Sequence, residues 1–378
     1  MRIAFLNWRD TANPEGGGSE VYIEEIAKRL VRRGHEVTLV CAAHDAAPGL
    51  EVREGVRIVR RGTKLTVYRE ARRLLRSGAL GDVDVVVDTQ NGIPFLSTWA
   101  VRVPVVVLVH HVHREQWLVV YDPLRARIGW WIESRVAPQV YRDCRYIAVS
   151  GSTADELVDL GVDRARISVV HNGVTGAPPH EALPRDSQPR VLVLGRLVPH
   201  KRVEHVLRAA GRLRPRFPGL RVAVVGDGWW APELVRAAAD AGVTDMVEFA
   251  GHVSEVEKAQ QLERAWVLAL PSLKEGWGLA VLEAAASGVP TVAYRQAGGV
   301  NESVIDRATG LLVDGGEGAF ADALAAVLGD DELRARLGAG ARKHAAQYSW
   351  DESAKAFEDV LEDAASSWSR RRRTAYRR

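Results

Sequence analysis

The sequence predicts two α/β domains, each built on a mainly parallel sheet, and three observations carry that expectation. At 378 residues the chain is too long for one ordinary hydrophobic core. Short β-branched runs alternate with amphipathic stretches, which is the pattern of strand–helix–strand units. The alternation breaks once, from His171 to Pro189, where Asn172-Gly173, Pro178-Pro179, Pro184 and Pro189 favour turns over helix or sheet. That break is read as the interdomain linker.

In the first half the expected strands are Ile3 to Leu6, Val37 to Val40, Val56 to Val59, Val83 to Val87, Val103 to Val109, Tyr146 to Val149 and Ile167 to Val170. Glu20 to Arg33 reads as a helix, because Val21, Ile23, Ile26, Ala27 and Leu30 fall at core spacing and Gly34 supplies the stop. In the second half the strands are Val191 to Leu194, Val222 to Val225, Val247 to Phe249, Val267 to Leu270, Thr291 to Ala293 and Leu311 to Val313. Helices follow at Ala319 to Leu328, Asp331 to His344 and Asp351 to Ala364. No repeat of 20 to 50 residues is present.

Composition narrows the classes of function. Hydrophobic residues make up 47% and charged residues 26%, the balance of a globular chain. No apolar run reaches the roughly 18 residues of a membrane span. The start, Met1 to Asn7, reads as a buried strand and not as a secretory leader, so the chain is expected to be cytoplasmic, with contact at the inner face of the membrane left open. Cys41 and Cys144 are too few for a disulfide framework or a zinc set and are read as buried free thiols. The formal charge is +3, but the stretch 51–80 concentrates Arg53, Arg57, Arg60, Arg61, Lys64, Arg69, Arg72, Arg73 and Arg76 against Glu51, Glu54 and Glu70. Such a stretch is either a solvated face or a contact for an anionic surface; the basic stretch from Arg53 to Arg76 is taken as a candidate contact with anionic membrane, and nucleic acid is not expected as a partner.

Three motifs carry chemistry. Gly16-Gly17-Gly18-Ser19-Glu20 joins the first strand to the first helix, where glycine admits a ligand close to the backbone and a helix N-terminus favours phosphate. Gly195-Arg196-Leu197-Val198-Pro199-His200-Lys201 leaves the first strand of the second half at its carboxyl end, where open α/β sheets bind ligands. Its two cations suit a diphosphate, Arg196 as a planar fork and Lys201 as a mobile point charge. In Pro271-Ser272-Leu273-Lys274-Glu275-Gly276-Trp277-Gly278-Leu279-Ala280-Val281-Leu282-Glu283, Glu275 falls on a glycine loop and Glu283 about one turn inside a helix starting near Leu279. Two carboxylates so placed suit recognition of a polyol at two points.

With these motifs, and with Ala148-Val149-Ser150, His171-Asn172-Gly173-Val174, Gly298-Gly299 with Glu302, and Thr309-Gly310 in the same order, the sequence resembles the family-four retaining glycosyltransferases of the GT-B fold. The resemblance implies two Rossmann-like domains facing across a cleft: an acceptor-binding domain at 1–178, a nucleotide-sugar-binding domain at 188–348, a helix at 349–364 packing back on the first domain, and a basic disordered tail at 365–378. It further implies that Arg196 and Lys201 hold the donor diphosphate, that Glu275 and the amides of Gly276, Trp277, Gly278 and Leu279 hold the transferred sugar, and that Glu283 holds the ribose. Val253, in Gly251-His252-Val253, would line the base pocket. Gly17 and Gly18 would face the phosphates or the acceptor, and His110, with His111 as the alternative, would point at the sugar. Trp277, Asn301 and Thr175 depart from the family's usual phenylalanine, proline and aspartate.

The implied reaction moves a hexose of the mannose, glucose or N-acetylglucosamine class from a GDP- or UDP-sugar to a glycan, glycolipid or small-molecule hydroxyl, with retention and without a metal or other cofactor. Phosphorylases and epimerases share the fold and remain alternatives, as does a non-catalytic membrane-surface adaptor. Gly226-Asp227-Gly228-Trp229-Trp230-Ala231 matches the dinucleotide fingerprint in form, but Trp229, Trp230 and Pro232 crowd that turn. Asp88 to Gly92 and Arg114 to Trp117 are candidate acceptor-lining segments.

Overall fold

The structure, a computed structural model, describes residues 1–176 and 178–375, the side chains of 371–375 excepted. The chain divides into two units, one formed by Met1–Asn172 together with the chain from Trp350 onward, the other by Gly173–Ser349. The division falls inside the segment read as a linker, whose remainder therefore goes with the second unit.

In the first unit β1 (Arg2–Leu6), β2 (Glu36–Cys41), β3 (Leu50–Arg53), β4 (Val56–Arg60), β5 (Val85–Gln90), β6 (Val105–Val109), β7 (Arg145–Ala148) and β8 (Ile167–Val169) form one sheet in the order β3-β4-β2-β1-β5-β6-β7-β8. Neighbours are parallel except β3 and β4, which pair antiparallel. β6 is apolar along its length, and β5 and β6 are both buried throughout, as strands covered on both faces require, with Asp88, Thr89 and Gln90 buried at the carboxyl end of β5. β3 was not expected. Its Leu50 and Val52 are exposed, so it lacks a buried face to read, and its Glu54-Gly55 turn holds both residues at positive φ without the usual Asn-Gly.

In the second unit β9 (Arg190–Leu194), β10 (Arg221–Val225), β11 (Val247–Gly251), β12 (Val267–Leu270), β13 (Thr291–Tyr294) and β14 (Gly310–Val313) form a parallel sheet in the order β11-β10-β9-β12-β13-β14. Both sheets reverse winding beside their first strand, at β1/β5 and at β9/β12. The carboxyl ends of those pairs are therefore the places where loops diverge and leave room for a ligand.

The last helix, Trp350–Ala375, belongs to the first unit. Trp350, Ala354, Phe357, Leu361 and Ala364 form its buried stripe; Phe357 stacks on Phe5 at 5.7 Å and Trp350 meets Tyr22 edge-on at 5.7 Å. Ion pairs border the stripe: Arg29 with Asp351 at 2.8 Å, Arg33 and His35 with Glu358 at 2.6 Å, and Arg145 with Asp363 at 2.6 Å. The helix continues to Ala375 and does not end at Ala364, so residues 365–375 are helical where a disordered tail was expected. No glycine or proline between Asp351 and Ala375 stops it. The rest of that tail, 376–378, lies outside the described residues. Cys41 is buried as expected, whereas Cys144 is only partly so.

Candidate active site

The second unit assembles its polar residues where β9 and β12 end. Gly195 and Arg196 follow β9 directly, and a short 3₁₀ turn, Pro199–Lys201, carries Lys201. The loop after β12 lies alongside, its Leu273 amide donating to the His200 carbonyl at 2.8 Å. Glu275 is fixed from two sides. Its amide donates to the Ala297 carbonyl at 2.8 Å and its carbonyl accepts from Gly299 at 3.1 Å. Gly298 must be glycine here: its φ is +79° and a Cβ would lie 3.2 Å from the Glu275 carbonyl oxygen. Held this way, the Glu275 carboxylate takes Lys201 Nζ at 2.5 Å and the Ser272 hydroxyl at 2.6 Å on one oxygen, Oε1.

Past Glu275, Gly278 adopts φ +86° and starts the helix Leu279–Ala286. Glu283 lies on that helix and pairs with Lys258 of the helix Glu255–Arg264 at 2.8 Å. Burial pushes the Glu283 carboxyl above its ordinary value against the opposing pull of Lys258. Burial alone would lower the Lys258 ammonium, but Glu283 and Glu255 outweigh it and hold it high. Trp277 is 2% exposed, edge-on to Tyr348 at 5.1 Å, and its carbonyl accepts from Ser303 at 2.7 Å. Its ring is a packing element, and what it offers a ligand is main chain. Val253 follows β11, half-buried against the apolar cluster under the sheet.

In the first unit the chain leaves β1 as Asn7-Trp8-Arg9-Asp10, and three of these are buried polar residues. Gly17 caps the helix Gly18–Arg32, and its amide donates to Glu20 at 2.8 Å. Glu20 is held in turn by Arg9 at 3.3 Å. The Gly17 amide is thus spent on the protein's own carboxylate. Asp10 closes a second cluster, with Arg60 at 2.5 Å, His44 at 2.9 Å and Arg53 at 3.5 Å; the Asp10 and Arg60 side chains are both 0% exposed.

His110 follows β6 directly. It is 6% exposed, meets Tyr22 edge-on at 5.3 Å, and its Nε2 has no hydrogen-bond partner among the described residues. Burial pulls it down to about 4, with Glu20 opposing and His113 reinforcing. The His111 and His113 rings lie 4.2 Å apart, tilted by 39°; His111 meets Gln116 at 2.8 Å and His113 meets the fully buried Glu133 at 2.9 Å. Asp88, in a segment expected to line an acceptor pocket, is fully buried and accepts from the Phe95 amide, the Ser97 amide and hydroxyl, and the Tyr141 hydroxyl. It holds the loop together.

Arg196, Lys201, Glu275 and the start of the Leu279 helix therefore lie at one strand end, and Glu283, one turn further along that helix, pairs with Lys258. Gly17, Gly18 and His110 belong to the first unit's site, where Glu20 bears electrostatically on His110. Sequence reasoning missed Ser272 as a ligand of Glu275, Lys258 as the partner of Glu283, and Arg9 as the partner of Glu20. Arg9 had a signal, a run of polar residues immediately after the first apolar strand; Lys258 had none.

Comparison with known proteins agrees with this architecture. The model of glycosyl transferases group 1 matches residues 179–344, and that of glycosyltransferase family 4 matches residues 16–177. A D-inositol 3-phosphate glycosyltransferase of Nocardia farcinica is 33% identical over 94% of this chain and 86% of its own length. Its counterpart in Mycolicibacterium smegmatis is 34% identical over 89% and 84%. Among solved structures, sucrose-phosphate synthase of Thermosynechococcus elongatus matches with a TM-score of 0.81 at 19% identity, covering 97% of this chain and 99% of that one. Anabaena HepE in complex with UDP-glucose matches with a TM-score of 0.72 at 19% identity, covering 98% and 99%.

Proposed function

The chain belongs to the group 1 glycosyltransferases of family 4 and has their two-unit α/β fold, and from that premise we propose that it is a retaining, metal-independent hexosyltransferase using a nucleotide diphosphate sugar. The contact that carries this reading is the Lys201–Glu275 pair with Ser272, beside Arg196, at the β9/β12 switch point. An occupant that separates the pair must give Lys201 an anion and Glu275 hydroxyl donors. A sugar diphosphate supplies both.

In the proposed reaction the anomeric C–O bond to the diphosphate breaks and its electron pair goes to the phosphate oxygen. Arg196, Lys201 and the amides at the start of the Leu279 helix receive that charge, an effect worth roughly 3 kcal/mol per well-placed donor. The acceptor oxygen bonds to the same face of the anomeric carbon, and its proton passes to the departing phosphate oxygen. Glu275 holds the sugar's hydroxyls, Glu283 the ribose and Val253 the base edge. With two cations on the diphosphate, no bridging metal is needed.

For the donor, HepE's complex with UDP-glucose supports testing UDP-hexoses first, with GDP-mannose beside them. For the acceptor, the relatives' names put a phosphorylated cyclitol on the panel with glycans and glycolipids. The deciding experiment is a thermal-shift screen of nucleotide sugars, then transfer assays in which NMR reads the product's anomeric configuration. An α-glycoside from an α-linked donor is expected. A β-glycoside refutes retention, and turnover only with inorganic phosphate or without an acceptor points to a phosphorylase or an epimerase.

A further inference from the structure

The basic run from Arg53 to Arg76 separates into two parts with different surroundings. Arg53 and Arg60 turn inward, onto Asp10, Glu24 and Glu51. From Arg61 onward the cations face out, except that Arg72 is half-buried. The helix Val67–Arg76 buries Val67 and Ala71 and leaves the Arg69 and Arg73 side chains 78% and 80% exposed. Arg69, Arg72, Arg73, Arg76 and Ser77 line an open depression of about 430 Å³. Glu70 is the one acid in this helix; it lies 3.4 Å from Arg69 and 3.9 Å from Arg73, pairs too exposed to neutralise the cluster. Leu65, just before the helix, is exposed as well.

A second element completes the surface. The helix Pro123–Trp131 is apolar on both sides. Ala126 and Gly129 face the core, Gly129 so closely that a Cβ would lie 2.4 Å from the Trp117 ring. On the opposite face Leu124, Ile128 and Trp131 fall at i, i+4 and i+7 and are 67%, 51% and 59% exposed. Arg125 and Arg127 flank this stripe, and Leu118, in the preceding helix Arg114–Val120, and Tyr121 just after it are exposed as well. Both helices pack on the same apolar cluster, the basic helix through Val67, Tyr68 and Ala71 and the second through Trp130, and Tyr68 lies within electrostatic reach of Tyr121, just before the second helix.

We infer that this face, the arginine cluster of Val67–Arg76 together with the Leu124, Ile128 and Trp131 stripe, docks the protein on an anionic lipid bilayer. The mixture selects the partner. A protein interface of this kind would bury its apolar centre away from charge, whereas here guanidinium groups border the stripe on both helices. Arginines beside outward leucine, isoleucine and tryptophan match a headgroup layer over acyl chains, with phosphates in the arginine depression and the stripe at the interface. The contact is peripheral, since no helix among the described residues is long and apolar enough to cross a membrane. It requires neither donor nor acceptor, so its test is independent of the proposed reaction.

The experiment is co-sedimentation of the full chain with phosphatidylcholine vesicles and with vesicles that also contain phosphatidylglycerol. Binding is expected to the second and not the first, and to weaken in high salt. The double variant R69E/R73E should bind the anionic vesicles roughly tenfold more weakly or worse. The double variant L124D/I128D should lose binding with its arginines intact. All four positions are exposed, and circular dichroism and the thermal midpoint verify that each variant folds. Equal binding to neutral vesicles, or wild-type binding by R69E/R73E, overturns the inference. So does wild-type vesicle binding by L124D/I128D, which would leave only a general affinity for polyanions.

Discussion

Both units place charged side chains at the carboxyl ends of their first strands, yet they hold them differently. In the first unit Asp10 and Arg60 are 0% exposed, and Arg9 is clamped onto a Glu20 that is also 0% exposed. In the second unit Lys201 and Glu275 keep 21% and 11% exposure and meet through one carboxylate oxygen. The first arrangement cannot open without stranding a charge in the core, whereas the second can exchange its partners for a ligand. Similar topology thus supports a braced half and an exchangeable half, and burial of the ion pairs separates them.

The strongest way to break this comparison is to remove one member of the braced pair. Asp10→Ala takes the fully buried carboxylate from Arg60, leaves it only the partly exposed Glu51, and should destabilise the protein by about 3 kcal/mol, read from urea unfolding. A loss under 1 kcal/mol would show that the cluster relaxes and is no brace. Glu275→Ala, in the exchangeable half, should leave the unfolding midpoint nearly unchanged yet lower kcat by roughly a hundredfold or more, because contacts to the moving sugar strengthen in the transition state. A variant that instead unfolds would make Glu275 structural.

Smaller effects sharpen the contrast. Glu283→Ala should raise the donor KM by about tenfold to a hundredfold with less change in kcat, as expected for a hydrogen bond to a ribose that does not move. His110 titrates at about 4 in the folded protein against an ordinary 6.5. The unfolded chain therefore takes up the proton first, and stability is full above pH 6.5 and declines as the pH falls toward 4, by on the order of 1–2 kcal/mol at pH 5. His110→Gln should flatten that part of the profile in denaturation at stepped pH. Least of all, excess EDTA should leave turnover unchanged; abolition reversed by magnesium or manganese would overturn the assignment of the diphosphate to Arg196 and Lys201.

Much of this was legible in the sequence, for physical reasons. Parallel strands buried on both faces announce themselves as β-branched runs, so thirteen of the fourteen strands among the described residues had counterparts there, and the edge strand β3, exposed on its apolar positions, did not. Glu275 and Lys201 were legible because loops at strand ends are where such sheets bind ligands. Their contact with each other was not, nor was that of Lys258 with Glu283, because each joins residues brought together only by packing. The arginine-rich stretch read as one patch, and packing divided it: Arg60 enters the core while Arg73 faces water. Residues 365–378 read as a basic disordered tail, although nothing between Trp350 and Ala375 interrupts a helix.

The return of the Trp350–Ala375 helix to the first unit has a consequence for biosynthesis. Phe5 and Tyr22 are translated more than 300 residues ahead of Trp350 and Phe357, which cover them. At roughly 5–20 residues per second the interval is tens of seconds. The second unit, continuous from Gly173 to Ser349, is fully translated before the first can close. A nascent chain stopped at residue 349 would carry a complete second unit and a first unit with its aromatic face open, the state in which this protein most needs a chaperone.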